Sequence, residues 1–358
     1  MNEETLPVIQ GSVCPVPLKH HDTIVMGHGS GGRMTQELIQ EIFQPHLASP
    51  QLLAGNDFAE MIPAPSHGNG RLAVSTDSHI VSPLVFPGGD IGRLSVCGTV
   101  NDVAMSGATP LYLTACFILE EGLSTSLLES IVISMSEAAK EAGVQIVAGD
   151  TKVVEKGKAD GLFINTTGMG WIPEGVEISG AGAQPGDIVL ISGTMGDHGI
   201  AVLSARGELG FETEIQSDVA PLNHLIRSVI DAAPHTHVLR DPTRGGLATT
   251  LNEIACQSNM CITIEESLIP VQPAVNAACE MLGFDPFYVA NEGKVIVIVP
   301  EAEAEAALTA MHLNPYGKNA AVIGNVSATP VSRVLLKTKI GGTRIMDVLA
   351  GEMLPRIC

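Results

Sequence analysis

A glycine-rich segment near the N-terminus has the composition of a phosphate-binding loop. Residues 27–32 read GHGSGG and precede a helical pattern of apolar residues. Glycine lets several backbone N–H groups approach an anion closely, and the following helix adds the positive end of its dipole. The segment matches neither G-x-x-x-x-G-K-[ST] nor G-x-G-x-x-G, and an ordinary surface loop is the alternative. The residues predicted to hold a nucleotide here are Gly29, Ser30, Gly31 and Gly32.

Three aspartates stand at strand ends or in polar turns of the predicted elements. Asp77 and Asp150 each follow an apolar run, and Asp102 lies in an Asn-Asp pair. Carboxylates that converge on one place must be neutralised, and Mg²⁺ carrying nucleotide phosphates does this with hard oxygen ligands. We therefore predict a Mg²⁺–nucleotide site at these three aspartates, with Thr151 beside the nucleotide. The alternative is that each aspartate only caps a turn or a helix.

Basic side chains are scarce, and several of them occupy Gly-rich polar turns. The chain has 19 Lys and Arg residues against 39 Asp and Glu residues. Arg244 stands in RDPTRGG, before a predicted helix whose N-terminus suits a phosphate. Lys152 follows closely on Asp150, and Glu292 lies in NEGK, which opens a predicted strand. These residues are candidates for chemistry on a phosphate, or they belong to tight turns that are solvated by charge.

The last residue of the chain is a cysteine, Cys358. A chain end is usually mobile, so packing is a poor reason to place a thiol there. The terminal carboxylate is expected to raise the pKa of this thiol, while Arg356 opposes that effect. A mobile terminal thiol can visit two places, which suits a carrier of a covalently attached group. The alternative is a terminal cysteine that occurs by chance.

The apolar pattern alternates between strands and helices in both halves of the chain. In the first half it predicts helices over about 92–106 and 124–142, and strands over 23–26, 72–76, 111–119, 145–148 and 162–167. In the second half it predicts helices near 197–207, 246–258, 271–282 and 300–311, and strands over 187–192, 261–264, 294–299 and 321–323. Residues 173–186 are rich in Gly, Pro and Ala, which predicts a domain boundary. The order of elements indicates α/β or α+β domains, with a polar arm over 1–22 and a loop over 44–70.

The composition excludes several classes of protein. The length of 358 residues suggests two domains at roughly 100–200 residues each. A formal net charge of −20 repels phosphate backbones and anionic lipid, so neither nucleic acid nor a membrane is an expected partner. No apolar run reaches the ~18 residues of a membrane helix, and the acidic N-terminus does not resemble a secretory signal. Seven cysteines without a C-x-x-C pair predict neither a disulfide framework nor a zinc site, so we expect a cytoplasmic protein.

Together these segments resemble the HypE family of hydrogenase maturation factors, which are carbamoyl dehydratases. That family is similar to aminoimidazole ribonucleotide synthetase and selenophosphate synthetase. The resemblance runs from about residue 23 to 358, and its markers are GHGSGG at 27–32, STDS at 75–78, FPGG at 86–89, NDVA at 101–104, GDTKVV at 149–154, DHG at 197–199, TRGG at 243–246, NEGK at 291–294 and PRIC at 355–358. The terminal PRIC together with GDTK is the most specific combination.

The resemblance implies a two-domain α/β (α+β) protein that forms a homodimer. An N-terminal ATP-binding and dimerisation domain over 23–175 would pair with its copy in a β-barrel-like dimer core. A C-terminal α/β domain would follow over 186–340, and a mobile tail over 341–358 would carry Cys358. ATP and Mg²⁺ would bind between the Gly-rich loop and the aspartates, in part across the dimer interface.

The resemblance also implies an activity. A partner carbamoyltransferase would load a carbamoyl group onto Cys358, and ATP-dependent dehydration would convert this group to an S-cyanide. The cyanide would pass to iron on a partner maturation scaffold and end as a ligand of a nickel–iron hydrogenase. Lys152 and Arg244 would stabilise charge on the transferring phosphoryl group, and Glu292 would take protons from the carbamoyl nitrogen.

Two other functions stay open at this level. A small-molecule kinase of the same superfamily, such as a selenophosphate synthetase or a thiamine-phosphate kinase, would share the acidic nucleotide site. A selenophosphate synthetase is expected to have a reactive cysteine in the Gly-rich loop, and residues 27–32 have none. A non-catalytic nucleotide-binding scaffold would bind ATP without chemistry at the tail. Because neither kinase uses a C-terminal cysteine, chemistry at Cys358 separates the three functions.

Overall fold

The computed structural model describes residues 32–38, 40, 59–61, 70–207, 214–349, 351, 354 and 356–358. Its helices, numbered α1 to α8, span Arg33–Leu38, Ile91–Ala104, Thr125–Ala142, Asp197–Ala205, Asn223–Ala232, Gly246–Ser258, Pro273–Leu282 and Ala304–Leu313. Its strands, numbered β1 to β14, span Ala59–Met61, Arg71–His79, Val85–Phe86, Gly89–Asp90, Thr109–Glu120, Gln145–Val154, Leu162–Ile172, Ile188–Ile191, Val238–Arg240, Cys261–Glu265, Ile296–Val299, Ala321–Ser327, Arg333–Lys337 and Thr343–Met346. Short 3₁₀ turns lie at Gly180–Gly182, Glu266–Leu268, Pro286–Tyr288, Glu301–Glu303 and Pro315–Gly317.

The first sheet has the strand order β1-β2-β7-β5-β6. Its neighbours run antiparallel except β5 and β6, which are parallel. Strand β7 alternates buried and half-buried residues along its whole length, which is the pattern of a strand with one fully covered face. Strands β5 and β6 leave large apolar side chains exposed, namely Leu111, Tyr112, Ile118, Ile146, Val147 and Val153. An apolar surface of this kind marks a place where another molecule binds.

Helix α2 is the centre of the first domain and carries part of the candidate site. Nearly all of its residues are buried between the first sheet, α3 and α5. Asp90 caps its N-terminus, because the Asp90 side chain accepts a hydrogen bond from the Arg93 N–H at 2.9 Å. Gly92 permits the close approach of α3, since a Cβ there would lie 2.2 Å from the Ile131 carbonyl oxygen. The helix is therefore held on all sides, and the side chains near its C-terminal end are fixed in position.

The second sheet has the order β14-β13-β10-β12-β8-β11-β9, in which only the β10–β13 pair is parallel. Helix α6 packs on one face, where Leu247 and Leu251 meet Ile191. Helices α5 and α8 cover the other face, where Val229 and Met311 meet side chains such as Leu190. The central strands are thus buried on both faces. None of the helices in the described part of the chain is long and apolar enough to cross a membrane.

The two domains are joined through polar side chains of α2. The Asn101 amide donates to the carbonyl oxygens of Ala220 at 3.0 Å and Glu292 at 3.3 Å, and its oxygen accepts from the Leu222 N–H at 2.7 Å. Arg93 reaches the Val219 carbonyl oxygen at 3.1 Å. Because Asn101 is buried, these bonds fix the segment that carries Glu292 relative to the first domain.

The sequence pattern predicts the larger elements well. The helices expected over 92–106, 124–142, 197–207, 246–258, 271–282 and 300–311 are confirmed, with small shifts at their ends. Helix α3 ends at Gly143, whose φ of 73° is the left-handed conformation of a C-terminal cap. The strands expected over 72–76, 111–119, 145–148 and 162–167 are also confirmed, and each is longer than predicted. The strand expected over 23–26 lies outside the described residues.

Several local predictions are wrong. Asp77 and Asp150 do not end their strands, because ladder pairing continues past them in β2 and β6. Asp102 lies inside α2 rather than in a polar turn. The predicted loop over 44–70 contains β1, and the other elements that the pattern missed are α5, β3, β4, β9, β13 and β14. A charged side chain on the open face of a strand costs little, so it is a poor signal for a strand end.

Replacing Asn101 by alanine is expected to lower the free energy of unfolding by about 2–4 kcal/mol, because buried groups in two domains lose their partners. Denaturation in urea, followed by circular dichroism, measures this loss. Asn276→Ala is the matched control, since this side chain bonds a neighbour on the exposed face of α7. The control should change the free energy by less than about 0.5 kcal/mol. Equal losses in the two variants would contradict a role for Asn101 between the domains.

Candidate functional site

The end of the chain is docked between the two domains. Ile357 is buried, 3% exposed, in a cluster that contains Val81 and Phe86 of the first domain. The Arg356 side chain forms an ion pair with Asp160 and donates from Nε to the Ile80 carbonyl oxygen at 3.4 Å. Cys358 is half-buried at the end of this segment. The structure therefore places the predicted mobile tail in an inward position, with its thiol inside the molecule.

The thiol of Cys358 lies in a strongly perturbed environment. Burial raises the pKa of this thiol well above its ordinary value, while the Arg244 guanidinium opposes the effect. The Glu292 and Asp77 carboxylates raise the pKa further, and Glu292 also shares a hydrogen bond with the thiol. The leading causes thus differ from those expected from the terminal carboxylate and Arg356. It follows that the docked thiol is protonated at neutral pH.

Glu292 is the buried carboxylate of this site, with 4% of its surface exposed. Its backbone N–H donates to Asp218 at 3.0 Å, and Asp218 forms an ion pair with Lys294 at 2.9 Å. Burial, followed by the nearby Asp77 carboxylate, raises the pKa of Glu292 well above its ordinary value. Oε1 of Glu292 has no hydrogen-bond partner among the described residues. A buried acceptor of this kind suits a ligand group that brings an N–H or O–H donor.

Arg244 supplies the positive charge at this site. It precedes α6, in a turn where Gly245 and Gly246 have φ angles of 79° and 62°. A Cβ on Gly246 would lie 2.6 Å from the Phe287 carbonyl oxygen, so the turn requires glycine there. The pKa of Arg244 is raised, first by Cys358 and then by carboxylates on both domains. One guanidinium therefore faces the groups Cys358, Asp77, Glu292 and Asp102.

Asp77 and Asp102 lie close together on the first domain. Ser75 donates from its hydroxyl to Oδ2 of Asp102 at 2.8 Å, and Asp77 is two residues further along the same face of β2. Asp77 is partly exposed and accepts from the Ser78 N–H at 2.7 Å. The described residues contain no group of three His, Cys, Asp or Glu that could hold a metal alone. Two carboxylates fit Mg²⁺ that arrives with nucleotide phosphates, because this ion commonly takes one or two protein carboxylates.

Asp150, Thr151 and Lys152 lie apart from this group. They belong to β6, which is separated from β2 by β7 and β5, a distance of about 14 Å across the sheet. Lys152 forms an exposed ion pair with Asp150, at 2.5 Å from Nζ to Oδ2. Within one chain the structure therefore does not bring Asp150 beside Asp77. The predicted convergence of three aspartates reduces to two in the single chain.

The Gly-rich loop is described only at its end. Gly29, Ser30 and Gly31 lie outside the described residues. Gly32 is buried, and a Cβ there would lie 2.4 Å from the Leu349 carbonyl oxygen. The next residue donates its backbone N–H to that same oxygen at 3.2 Å. The end of the predicted nucleotide loop thus packs against the predicted tail, nine residues before Cys358.

Sequence reasoning missed the residues that hold the tail. His198 contacts the Ile357 carbonyl oxygen at 2.9 Å, and Arg206 donates to the Arg356 carbonyl oxygen at 2.7 Å. The signals for His198 were its place in the Gly-rich segment GDHG and the family marker DHG at 197–199. Arg206 and Asp218 stand in unremarkable polar segments, so no spacing rule points to them. Their roles depend on the packing of the two domains, which one sequence does not reveal.

Glu292→Gln is expected to lower the pKa of Cys358, because the variant removes a carboxylate that raises this pKa. The measurement is the alkylation rate of Cys358 against pH, with the label located on the C-terminal peptide by mass spectrometry. Glu265→Gln is the control, since Glu265 pairs with Lys337 on the surface of the second sheet. An unchanged or raised thiol pKa in Glu292→Gln would contradict the described contact.

Comparisons with known proteins agree with this architecture. The family model for the AIR synthase related protein N-terminal domain matches residues 56–172, and the model for the C-terminal domain matches residues 184–337. The carbamoyl dehydratase HypE of Cupriavidus necator is 56% identical over 336 residues, which cover 94% of this chain and 95% of that protein.

Two solved structures are also similar to this chain. The crystal structure of a HypE–HypF complex superposes with a TM-score of 0.82 and 52% identity, covering 87% of this chain and 99% of the other. A HypE structure in complex with ATP gives a TM-score of 0.78 and 50% identity, covering 94% and 100%. Identity of this extent across both domains shows common descent. The chain therefore belongs to the carbamoyl dehydratase HypE family, within the AIR synthase related proteins.

Proposed function

We propose that this protein dehydrates a carbamoyl group carried on Cys358 to an S-cyanide, with ATP as the dehydrating reagent. The observation that carries the proposal is the docked Cys358 thiol, which lies against Arg244 and Glu292 inside the molecule. A terminal thiol buried beside one cation and one strong base is arranged for chemistry on whatever the sulfur bears. A kinase for a free small molecule has no use for this arrangement.

The reaction balances as a phosphoryl activation followed by an elimination. The carbamoyl oxygen attacks the γ-phosphorus of ATP and releases ADP, while the carbamoyl nitrogen loses one proton. The C–O bond then breaks, phosphate leaves with that oxygen, and the second nitrogen proton is removed as the C≡N bond forms. The products are the S-cyanide, ADP and inorganic phosphate. Phosphorylation is needed because an amide oxygen is otherwise a poor leaving group.

Glu292 and Arg244 are assigned complementary roles. Burial raises the pKa of Glu292, which makes its carboxylate a stronger base than an exposed one and suits it to accept the nitrogen protons. The free Oε1 atom of Glu292 is a ready acceptor for a carbamoyl N–H. Arg244 stabilises the negative charge that develops on the phosphoryl group. Lys152 is proposed to assist in this charge stabilisation.

ATP and Mg²⁺ are proposed to bind beside Asp77 and Asp102. When bound, Mg²⁺ would neutralise the phosphates and the developing charge of the phosphoryl transfer. The Gly29–Gly32 segment would cradle the phosphates, and a relative with ATP bound supports a nucleotide site in this fold. Asp150, Thr151 and Lys152 lie too far away in one chain, so we propose that they complete the site across a homodimer interface.

The exposed apolar residues of β5 and β6 support this homodimer. We propose that the N-terminal domain, over 23–175, forms the dimer core and that the C-terminal domain covers 186–340. The remaining partners are a carbamoyltransferase that loads Cys358, in keeping with the HypE–HypF complex, and an iron-carrying scaffold that accepts the cyanide. The product would serve nickel–iron hydrogenase maturation in the cytoplasm.

Carbamoylated protein given MgATP is expected to lose about 18 Da, the mass of one water, as one phosphate is released for each chain. Intact-mass spectrometry measures the loss, and a phosphate assay measures the release. Cys358→Ala is the control, and it should accept no carbamoyl group while it still binds ATP. Phosphate release without the mass change would favour a kinase or a simple ATPase.

A further inference from the structure

Two successive main-chain carbonyl groups at the end of the tail are held by donors from both domains. The Arg356 carbonyl oxygen accepts from the Ser82 N–H at 3.2 Å and from Nη2 of Arg206 at 2.7 Å. The Ile357 carbonyl oxygen contacts Nε2 of His198 at 2.9 Å. Ser82 follows the first sheet, whereas the other two donors stand at the two ends of α4. The tail is thus bound through its backbone at the domain junction.

The hydrogen-bond chain around His198 fixes which ring nitrogen carries the proton. Ser217 accepts from the Val219 N–H at 3.1 Å, and its hydroxyl lies 2.8 Å from Nδ1 of His198. A carbonyl oxygen only accepts, so the contact with Ile357 requires a proton on Nε2. Burial lowers the pKa of His198, which keeps the ring neutral and leaves Nδ1 to accept from Ser217. The ring is therefore set to donate towards the tail.

Neighbouring elements hold this ring in place. Phe86 meets the His198 ring edge-on, with centroids 5.4 Å apart. The Ser217 N–H donates to the Pro87 carbonyl oxygen at 2.7 Å, and a Cβ on Gly88 would lie 2.7 Å from the Ser217 nitrogen. His198 is fully buried among these groups. These groups hold the His198 ring from directions other than that of the tail.

Arg206 joins the same junction from the other side. Its Nε donates to the Ser82 carbonyl oxygen at 2.8 Å, so that Ser82 and Arg206 together enclose the Arg356 carbonyl group. Arg356 itself has a φ of 55°, a left-handed conformation that residues other than glycine seldom adopt. The contacts around Arg356 must offset the cost of that conformation.

We propose that His198 and Arg206 are positioning residues that form a main-chain latch for the docked tail. The latch consists of the His198, Arg206 and Ser82 donors on the carbonyl groups of Arg356 and Ile357. Because it binds backbone, it grips the tail whether Cys358 carries a free thiol, a carbamoyl group or a cyanide. The latch serves the proposed dehydration, since it brings the loaded sulfur to Arg244 and Glu292.

The test compares substitutions at His198 by the alkylation rate of Cys358, read on the C-terminal peptide of the otherwise unchanged chain. His198→Gln keeps an N–H donor near the Nε2 position, whereas His198→Asn mimics only Nδ1 and His198→Phe keeps only the ring. Alkylation should be about ten-fold faster in the Phe and Asn variants and within about two-fold of the parent in the Gln variant. If the ring only fills space, the Phe variant should keep the parent's alkylation rate and the Gln variant should not.

Arg206→Met should give a similar release of the tail, and Arg206→Lys a smaller one, because lysine restores a single donor. His312→Phe is the matched control, since His312 contacts the Ala320 carbonyl oxygen at the same 2.9 Å but in α8. That control should leave the alkylation rate unchanged. Should a His198 variant fold poorly, Ser217→Ala provides a milder test, because it keeps the His198 ring and removes the hydroxyl that bonds Nδ1 and the Val219 N–H.

The alkylation and mass measurements together distinguish a failure of the latch from a failure of the proposed reaction. If the parent makes the S-cyanide but His198→Phe and Arg206→Met are both alkylated at the parent's rate, the latch is overturned and the proposed reaction stands. If those variants release the tail but the carbamoylated parent keeps its mass with MgATP, the latch is upheld and the proposed reaction is rejected. If both proposals hold, single-turnover dehydration should slow in proportion to tail release, while the Kd for MgATP stays the same.

Discussion

The structure depends on one electrostatic constraint, which is the burial of a carboxylate and a thiol around a single guanidinium. In a chain with a net charge of −20, Glu292 and Cys358 sit inside the molecule with Arg244 as their nearby cation. Burial raises the pKa of both groups, so the docked thiol stays protonated, whereas the ionised Glu292 carboxylate is a stronger base than an exposed one. A neutral carbamoyl group on the sulfur has no charge to lose on entering such a site. The environment therefore suits the loaded tail better than a free thiolate.

The rest of the fold holds these groups in place from both domains. Asn101 binds the Glu292 carbonyl oxygen from α2, Asp218 binds its N–H, and the double-glycine turn before α6 presents Arg244. The tail enters the same junction and is bound by its own backbone. A relative movement of the domains would thus alter the base, the cation and the carrier together. This arrangement explains why the donors that bind the tail come from both domains.

The sequence predicts which residues of this site matter better than it predicts the contacts between them. Glu292, Arg244 and Cys358 stand in segments with distinctive composition, and their importance could be inferred before any coordinates. Their mutual contact could not, because it arises from tertiary packing of segments that are 48 to 114 residues apart in the sequence. Asp150 illustrates the opposite case, since its motif is distinctive but its strand lies at the far edge of the sheet. His198 and Arg206 act through backbone groups of the tail, and backbone recognition leaves no pattern in the side chains.

The central claim is that the carbamoyl oxygen is phosphorylated while the tail is docked. The direct measurement is to load Cys358 with a carbamoyl group that contains a heavy oxygen isotope and to add MgATP for a single turnover. The account predicts that the isotope appears in inorganic phosphate, in an amount equal to the S-cyanide formed. Unlabelled phosphate, with the isotope recovered in water, would contradict it, because the oxygen would then have left without becoming bonded to phosphorus.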